Sequence, residues 1–187
     1  MRVVLMGPPG AGKGTQAVVV SERLGVPHVS TGDIFRANVA GGTPLGLEAK
    51  RYMDAGDYVP DSVTNAMVRD RLAQPDAAVG FLLDGYPRTV AQVDELAAML
   101  AEHGVALDHV VELTVDRDEL VARLVKRAAE QGRSDDSEDV IRRRQEVFAE
   151  QTAPLTALYE AQGLLVRVDG MGPVDEVTAR VLAALGV

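Results

Sequence analysis

Residues 3–15 read Val3-Val4-Leu5-Met6-Gly7-Pro8-Pro9-Gly10-Ala11-Gly12-Lys13-Gly14-Thr15. An apolar, partly β-branched run passes directly into a glycine-dense turn, and a helical pattern follows at once. Glycines at 7, 10, 12 and 14 let backbone N–H groups turn inward around an anion, because side chains would block the approach and forbid the dihedral angles required. The helix after the turn aims its positive N-terminal end at the same point. Lys13 adds an ammonium that can follow the outer phosphates, and Thr15 adds a hydroxyl on the opening helical turn. Gly14 stands where the general phosphate-loop pattern has its Ser or Thr, so the hydroxyl is displaced by one residue. The bland alternative is an ordinary glycine turn between a strand and a helix; strand, loop, lysine and helix together favour a nucleotide-phosphate cradle.

Outward from this loop, short β-rich runs alternate with helical patterns. Val3 to Met6, Pro27 to Ser30, Gly80 to Asp84, His109 to Val115 and Leu164 to Val168 read as five strands. Strands spaced by helices predict an α/β fold, a doubly wound five-stranded parallel sheet. Punctuation agrees. Gly25 follows Leu24, Thr43 and Pro44 open a helix that Gly56 closes, and Thr89 caps one reaching Glu102. Asp116 with Glu119 opens a helix over Asp118 to Glu130, Pro173 begins a last one to Leu185, and Pro154 kinks or divides the pattern from Glu138 to Gln162.

Two stretches exceed the plain alternation. Thr31 to Val79, about fifty residues, holds several short helices where one crossover needs far fewer, which predicts a small inserted subdomain. Glu130 to Ser137 is a polar loop between arginine-bearing helices and reads as a lid hinged at Gly132 and Ser137.

The 187-residue chain suits a single domain, and 47% hydrophobic content is ample for a core. A formal charge of −9 argues against general attraction to nucleic acid or anionic lipid, so any anion must be held by local basic clusters. Four tyrosines, three phenylalanines and no tryptophan argue against a base-stacking platform. The absence of cysteine excludes disulfides and thiolate metal sites. With no charged leader or long apolar stretch, the expectation is a cytoplasmic protein that does not meet a membrane.

A phosphate loop says only that a nucleotide binds, and the other strand ends say more. In a doubly wound sheet ligands lie beyond the carboxyl ends of the strands, where this chain has Ser30-Thr31-Gly32-Asp33 and Asp84-Gly85-Tyr86-Pro87-Arg88. Arg36 lies one helical turn after the first and Arg88 closes the second. Planar guanidinium groups suit bidentate phosphate capture. Arg123, Arg127, Arg133 and Arg144 flank the polar loop, with Arg123 and Arg127 on one helix face. So many arginines beyond the loop point to an acceptor that is itself a phosphate. Asp84 ends an apolar strand where phosphate-loop proteins place a carboxylate near the metal, as a ligand or through water, its alternative being a turn cap. Arg142 and Arg143 read as surface pairs with Glu138, Asp139 and Glu146, Arg117 and Lys126 as a solvated face, and His28, His103 and His109 as core or surface residues without ligand spacing.

At this point the chain resembles the adenylate kinases over nearly its whole length. The residues that carry the resemblance are Gly7 to Gln16, Ser30-Thr31-Gly32-Asp33 with Arg36, Asp84-Gly85-Tyr86-Pro87-Arg88-Thr89 with Gln92, and Arg133-Ser134-Asp135-Asp136. Gly14 is the family's own variant. The resemblance implies that Gly10, Ala11, Gly12, Lys13, Gly14, Thr15, Arg127 and Gly172 hold ATP. It implies AMP at Thr31, Arg36, Tyr58, Val59, Gly85, Tyr86, Pro87, Arg88 and Gln92, with Arg133 and Arg144 reaching over both phosphate groups. The catalytic set is then Lys13, Asp84, Arg88, Arg123, Arg133 and Arg144, with Mg²⁺ near Asp84 through water. Residues 30–59 become an AMP-binding subdomain and 127–138 a short lid, all within one kinase domain of residues 1–187.

Tyr86 stands where phenylalanine is more frequent, Gly172 where some relatives have lysine, and the short lid lacks zinc-binding cysteines, so no structural zinc is expected. Pyrimidine monophosphate kinases of the family usually have alanine in place of Thr31 and asparagine in place of Thr89, so both residues point to AMP. The implied reaction is reversible phosphoryl transfer from MgATP to AMP giving two ADP, by a monomer with ATP, AMP and ADP as its partners. A kinase for CMP or UMP and a phosphate-loop nucleotide switch are the competing readings. A switch has no need of Arg36, Arg88 and Gln92 as a second cluster.

Overall fold

The computed structural model describes residues 1–131 and 137–187. Five strands, β1 (Arg2–Met6), β2 (His28–Ser30), β3 (Phe81–Asp84), β4 (His109–Thr114) and β5 (Leu165–Asp169), form one sheet in the order β2-β3-β1-β4-β5 with every pair parallel. Successive side chains on a strand point to opposite faces, so both faces need cover. Val4, Met6, Phe81 and Leu83 face one core with residues of α4 (Asp61–Leu72), α5 (Val90–Ala101) and α8 (Leu155–Ala161). Val3, Leu5 and Leu82 face the other with residues of α1 (Lys13–Leu24), α6 (Arg117–Gln131) and α9 (Val174–Leu185). These strands are apolar throughout because neither face sees water, as the run Phe81-Leu82-Leu83 shows.

Register decides what meets at the site. Asp84 is the partner of Leu5 on one side and of Ser30 on the other, so β1, β2 and β3 end at one level. The turns after these three strands therefore converge, at the end of the sheet where ligands of such folds lie.

Between β2 and β3 lie α2 (Thr31–Ala40), α3 (Pro44–Ala55) and α4. Ser30 to Asp33 opens α2 directly from the end of β2, with the Ser30 hydroxyl accepting from Asp33 N at 3.2 Å. Thr43 and Thr89 cap α3 and α5 in the same way, as their sequences predicted. At Gly46 a Cβ would fall inside the van der Waals contact distance of the Asn38 carbonyl of α2. That backbone-to-backbone approach explains a glycine within α3.

Pro154 divides the last long helical pattern, and the break begins well before it. α7 (Glu138–Val147) runs into a π-helical turn at Phe148–Thr152, and α8 follows. Proline donates no hydrogen bond and its ring crowds the carbonyl four residues back, so the chain widens: Ala153 N donates to Phe148 O, five residues earlier, at 2.9 Å. This turn brings Thr152 to the site. Among the described residues no helix is long and apolar enough to cross a membrane.

Candidate active site

The loop between β1 and α1 has the conformation its glycines predicted, with Gly10 and Gly12 at φ 91° and 90°. Ala11 N donates to Pro8 O at 3.1 Å, and Gln16 N donates to Gly12 O at 3.0 Å to begin the helix. Lys13 folds its side chain back along this loop, donating from Nζ to Gly7 O at 2.7 Å and Pro8 O at 3.1 Å. Burial pushes the ammonium down to about 8; Asp84 pulls the other way, while the charges of Arg88, Arg144 and Arg127 add to the fall. Burial comes first in this shift and the neighbouring guanidinium charges only after it, and an anion at the ammonium would offset both.

Asp84, whose charge acts on this ammonium, ends β3 and is only 9% exposed. Its Oδ2 lies 3.7 Å from where a Cβ on Gly14 would be, and the same distance from His28 Nε2. His28, read from sequence as a core or surface residue, thus borders the site, with Nε2 buried and without a hydrogen-bond partner. Among the described residues no cluster of three or more His, Cys, Asp or Glu forms a metal cage. A lone carboxylate facing the start of α1 fits a hard cation such as Mg²⁺, which keeps several waters and shares a nucleotide's phosphates instead of needing an all-protein cage.

On the other wall, Gly85 joins the ends of β2 and β3. Its carbonyl accepts from Thr31 Oγ1 at 2.9 Å and from Arg88 Nε at 2.7 Å. Gly85 has φ 83°, and a Cβ there would stand 2.8 Å from the Thr31 hydroxyl and 3.0 Å from Arg88 Nη2, so only glycine fits. A cis bond joins Tyr86 to Pro87, and the Tyr86 phenol points away into the core to donate to Asn65 at 2.9 Å. Arg88 N donates to the Gln92 amide oxygen at 2.7 Å. The buried Gln92 in turn donates from Nε2 to Asp61 Oδ1 at 2.7 Å, while Thr89 donates to Asp61 Oδ2 at 2.8 Å.

The arginines differ in what compensates them. Arg36 lies against Asp33 at 2.5 Å, and Arg123 against Glu119 at 2.7 Å. Arg88 pairs with no carboxylate among the described residues: its Nε goes to Gly85 O and its plane lies over the Tyr58 ring, 4.9 Å from the centroid. A half-buried guanidinium compensated only by a carbonyl and a ring face is suited to receive an anion.

One cleft gathers Lys13, Thr31, Arg36, Tyr58, Val59, Gly85, Tyr86, Pro87, Arg88, Gln92 and Arg144. Its apolar part is Phe35, Met53 and Val59, where Phe35 and Val59 pack with Ala49. Gly10, Ala11, Gly12, Gly14, Thr15, Asp84, Arg123, Arg127 and Gly172 do not line it. Arg123 lies alongside, with Nη1 3.9 Å from the Cβ position of Gly12 and both Nη atoms 3.2 Å from Gly170 O. Gly170 itself would put a Cβ 3.6 Å from Ala11 O, so the segment leading to Gly172 borders the phosphate loop. Arg133 lies outside the described residues, as does Gly132. Arg142 pairs with Glu138 at 3.3 Å, whereas Arg143 reaches across to Asp57 at 2.8 Å, a partner its own helix does not reveal.

The adenylate kinase family model matches residues 5–164, which includes the glycine loop after β1 and the segment 84–89 after β3. The chain belongs to the adenylate kinase family. It is 65% identical over 187 residues to the adenylate kinase of Nocardioides sp., covering 100% of this chain and 98% of that protein. Similarity to the adenylate kinase of Kocuria rhizophila is 65% identity over 184 residues, 98% of each chain. The Thermobifida fusca adenylate kinase is 60% identical over 185 residues, 99% of this chain and 98% of that one.

Several polar residues tie the elements around the cleft together through contacts that no local sequence pattern reveals. Asp61 follows Pro60 and looks like a helix cap, yet its carboxylate holds Thr89 and Gln92. Gln145 on α7 donates to Pro9 O at 2.9 Å, anchoring the phosphate loop. Gln16 uses its amide to tie α1 to α9, through Val174 O at 2.9 Å and the Thr178 hydroxyl at 2.7 Å.

Proposed function

We propose that this adenylate kinase family member transfers the γ-phosphoryl group of MgATP reversibly to AMP, giving two ADP. The observation that carries the reading is the meeting of two cationic centres in one cleft: the Lys13 ammonium of the phosphate loop, and the Arg88 guanidinium with no carboxylate partner among the described residues.

An AMP phosphate oxygen attacks the γ-phosphorus; the bond to the β,γ-bridging oxygen breaks and its electrons leave with ADP. The attacking oxygen is already anionic at neutral pH, so the protein has charge and geometry to supply instead of a base. In this reading backbone N–H groups of Gly10, Ala11, Gly12, Gly14 and Thr15 cradle ATP, Lys13 follows its outer phosphates, and Arg127 and Gly172 border the nucleotide. Arg36 and Arg88 hold the AMP phosphate while Thr31, Val59, Gln92 and the backbone of Tyr58, Gly85, Tyr86 and Pro87 shape the nucleoside pocket. Arg123, Arg133 and Arg144 neutralise charge on the transferring group. Asp84 would hold Mg²⁺ through water, and the bound cation supplies neutralisation of the ATP phosphates. Residues 30–59 act as the AMP-binding part and 127–138 as a lid that excludes water from the γ-phosphoryl group. The enzyme acts as a cytoplasmic monomer on small molecules; its charge of −9 disfavours nucleic acid and anionic membranes.

Calorimetric titration tests the two-site geometry. AMP and a non-hydrolysable MgATP analogue should bind together, one of each per chain, with Arg88→Ala losing the AMP isotherm alone. A single nucleotide per chain, with AMP no better than background, would make the protein a switch.

A further inference from the structure

Arg88 is gripped from behind by side chains that neither the phosphate loop nor the acceptor turns contain. We propose that Tyr58 and Thr152 are positioning residues that set the direction of the Arg88 guanidinium through a hydroxyl relay; this rests on the reading of Arg88 as the acceptor-phosphate ligand.

Thr152 Oγ1 lies 2.8 Å from Arg88 O and 2.7 Å from the Tyr58 phenol oxygen. A threonine hydroxyl has one hydrogen, and the carbonyl can only accept. Thr152 therefore donates to Arg88 O, and Tyr58 donates to Thr152. The ring of the same tyrosine lies under the Arg88 guanidinium at 4.9 Å. Tyr58 thus touches Arg88 twice: its ring meets the head group, and its hydroxyl, by way of Thr152, meets the backbone.

The remaining freedom of Arg88 is removed from the other side, where Nε donates to Gly85 O and the backbone N donates to Gln92. With Nε tied and one guanidinium face covered, the Nη edge is what remains to meet a ligand. Such a fixed fork matches a phosphate in two-pronged geometry, whereas a swinging arginine loses entropy on every binding event.

The three residues come from distant parts of the chain. Tyr58 lies in the segment between α3 and α4, Arg88 between β3 and α5, and Thr152 at the end of the π-helical turn. Thr152 is only 4% exposed, and both it and Tyr58 line the cleft. The widened turn forced by Pro154 therefore gains a role, since it carries the central atom of the relay to Arg88.

The test is steady-state kinetics with MgATP and AMP on Tyr58→Phe, Thr152→Val and the double variant, with Thr152→Ser as rescue and Arg88→Ala as reference. Either single variant should lower kcat/KM for AMP about tenfold, the loss of a hydrogen bond to a charge-positioning element, with KM for ATP within about twofold of the parent. The double variant should be no worse than Thr152→Val, because one relay cannot be cut twice. Thr152→Ser, which keeps the hydroxyl, should restore the parent values. Should Thr152→Val fail to fold, Tyr58→Phe still decides, because its ring and packing remain. Parent-like AMP kinetics in Tyr58→Phe, or additive losses with KM for both substrates shifted, would overturn the relay while Arg88→Ala stays crippled. If Arg88→Ala itself keeps normal AMP kinetics, the fault lies in the underlying assignment of Arg88.

Discussion

ATP affinity in this protein should fall with rising pH about two units earlier than an ordinary lysine allows. Burial together with Arg88, Arg144 and Arg127 holds Lys13 at about 8 in the free protein, against 10.5 for an unhindered side chain. A bound polyphosphate places negative charge against the ammonium and raises it again, so binding takes up the proton that the free site has shed. The sign follows: affinity is full below the free-site value and is lost as pH rises through it, by up to tenfold per unit. From about pH 7.5 to 9.5, a free-site value of about 8 gives a loss of about 25-fold, or about 2 kcal/mol, whereas 10.5 would give almost none. Titration calorimetry with a non-hydrolysable MgATP analogue in buffers of different ionisation enthalpy reads both the affinity and about one proton taken up at the upper pH. Lys13→Arg, whose guanidinium does not titrate in this range, should give a flat profile. A parent profile that is equally flat would show that Lys13 does not titrate near 8 in the free site. The same shift acts on folding. Between about pH 8 and 10.5 the unfolded chain holds a proton the folded chain has lost, so the Lys13 contribution to stability rises with pH there, and the parent should gain on Lys13→Met across that window.

Asp61→Leu should orphan the Gln92 amide and the Thr89 hydroxyl, costing about 2–3 kcal/mol in urea unfolding and raising KM for AMP more than for ATP. Gly46→Ala should cost about 3 kcal/mol and again raise KM for AMP, because the added methyl drives α3 off the α2 backbone that carries Arg36; an unchanged melting temperature would show the helices can part freely. Arg142→Ala, which removes only an exposed pair with Glu138, should change stability by less than about 0.5 kcal/mol in the same unfolding assay.

The framework of the molecule was legible because its signals are local. A glycine loop, an apolar run of four and a threonine cap each report on residues within a turn of themselves, so the strands at Val3, Phe81 and His109 and the caps at Thr43 and Thr89 fall where they were read. The order of strands is different. Placing β3 between β2 and β1 depends on which crossovers pack, and no local pattern encodes it. The supporting side chains were illegible for the same reason. Asp61 meets Gln92 across 31 residues, Thr152 meets Arg88 across 64, and Gln145 meets Pro9 across 136. Each looks like a capping or surface polar residue until the fold brings its partner to it. Arg143 shows the converse, since helical spacing offers it Glu146 while the fold gives it Asp57 at shorter distance.

An acceptor panel tests whether the two cationic centres of the cleft serve a phosphate donor and a phosphate acceptor. Purified protein is mixed with MgATP and, in turn, AMP, CMP, UMP and GMP, and diphosphate formation is followed beside Lys13→Ala and Arg88→Ala. This assignment predicts rapid ADP formation with AMP, at least about a hundredfold slower in either folded variant, as expected when one donor to developing charge is removed. ATP hydrolysis indifferent to every acceptor, or undiminished turnover without Arg88, would contradict it.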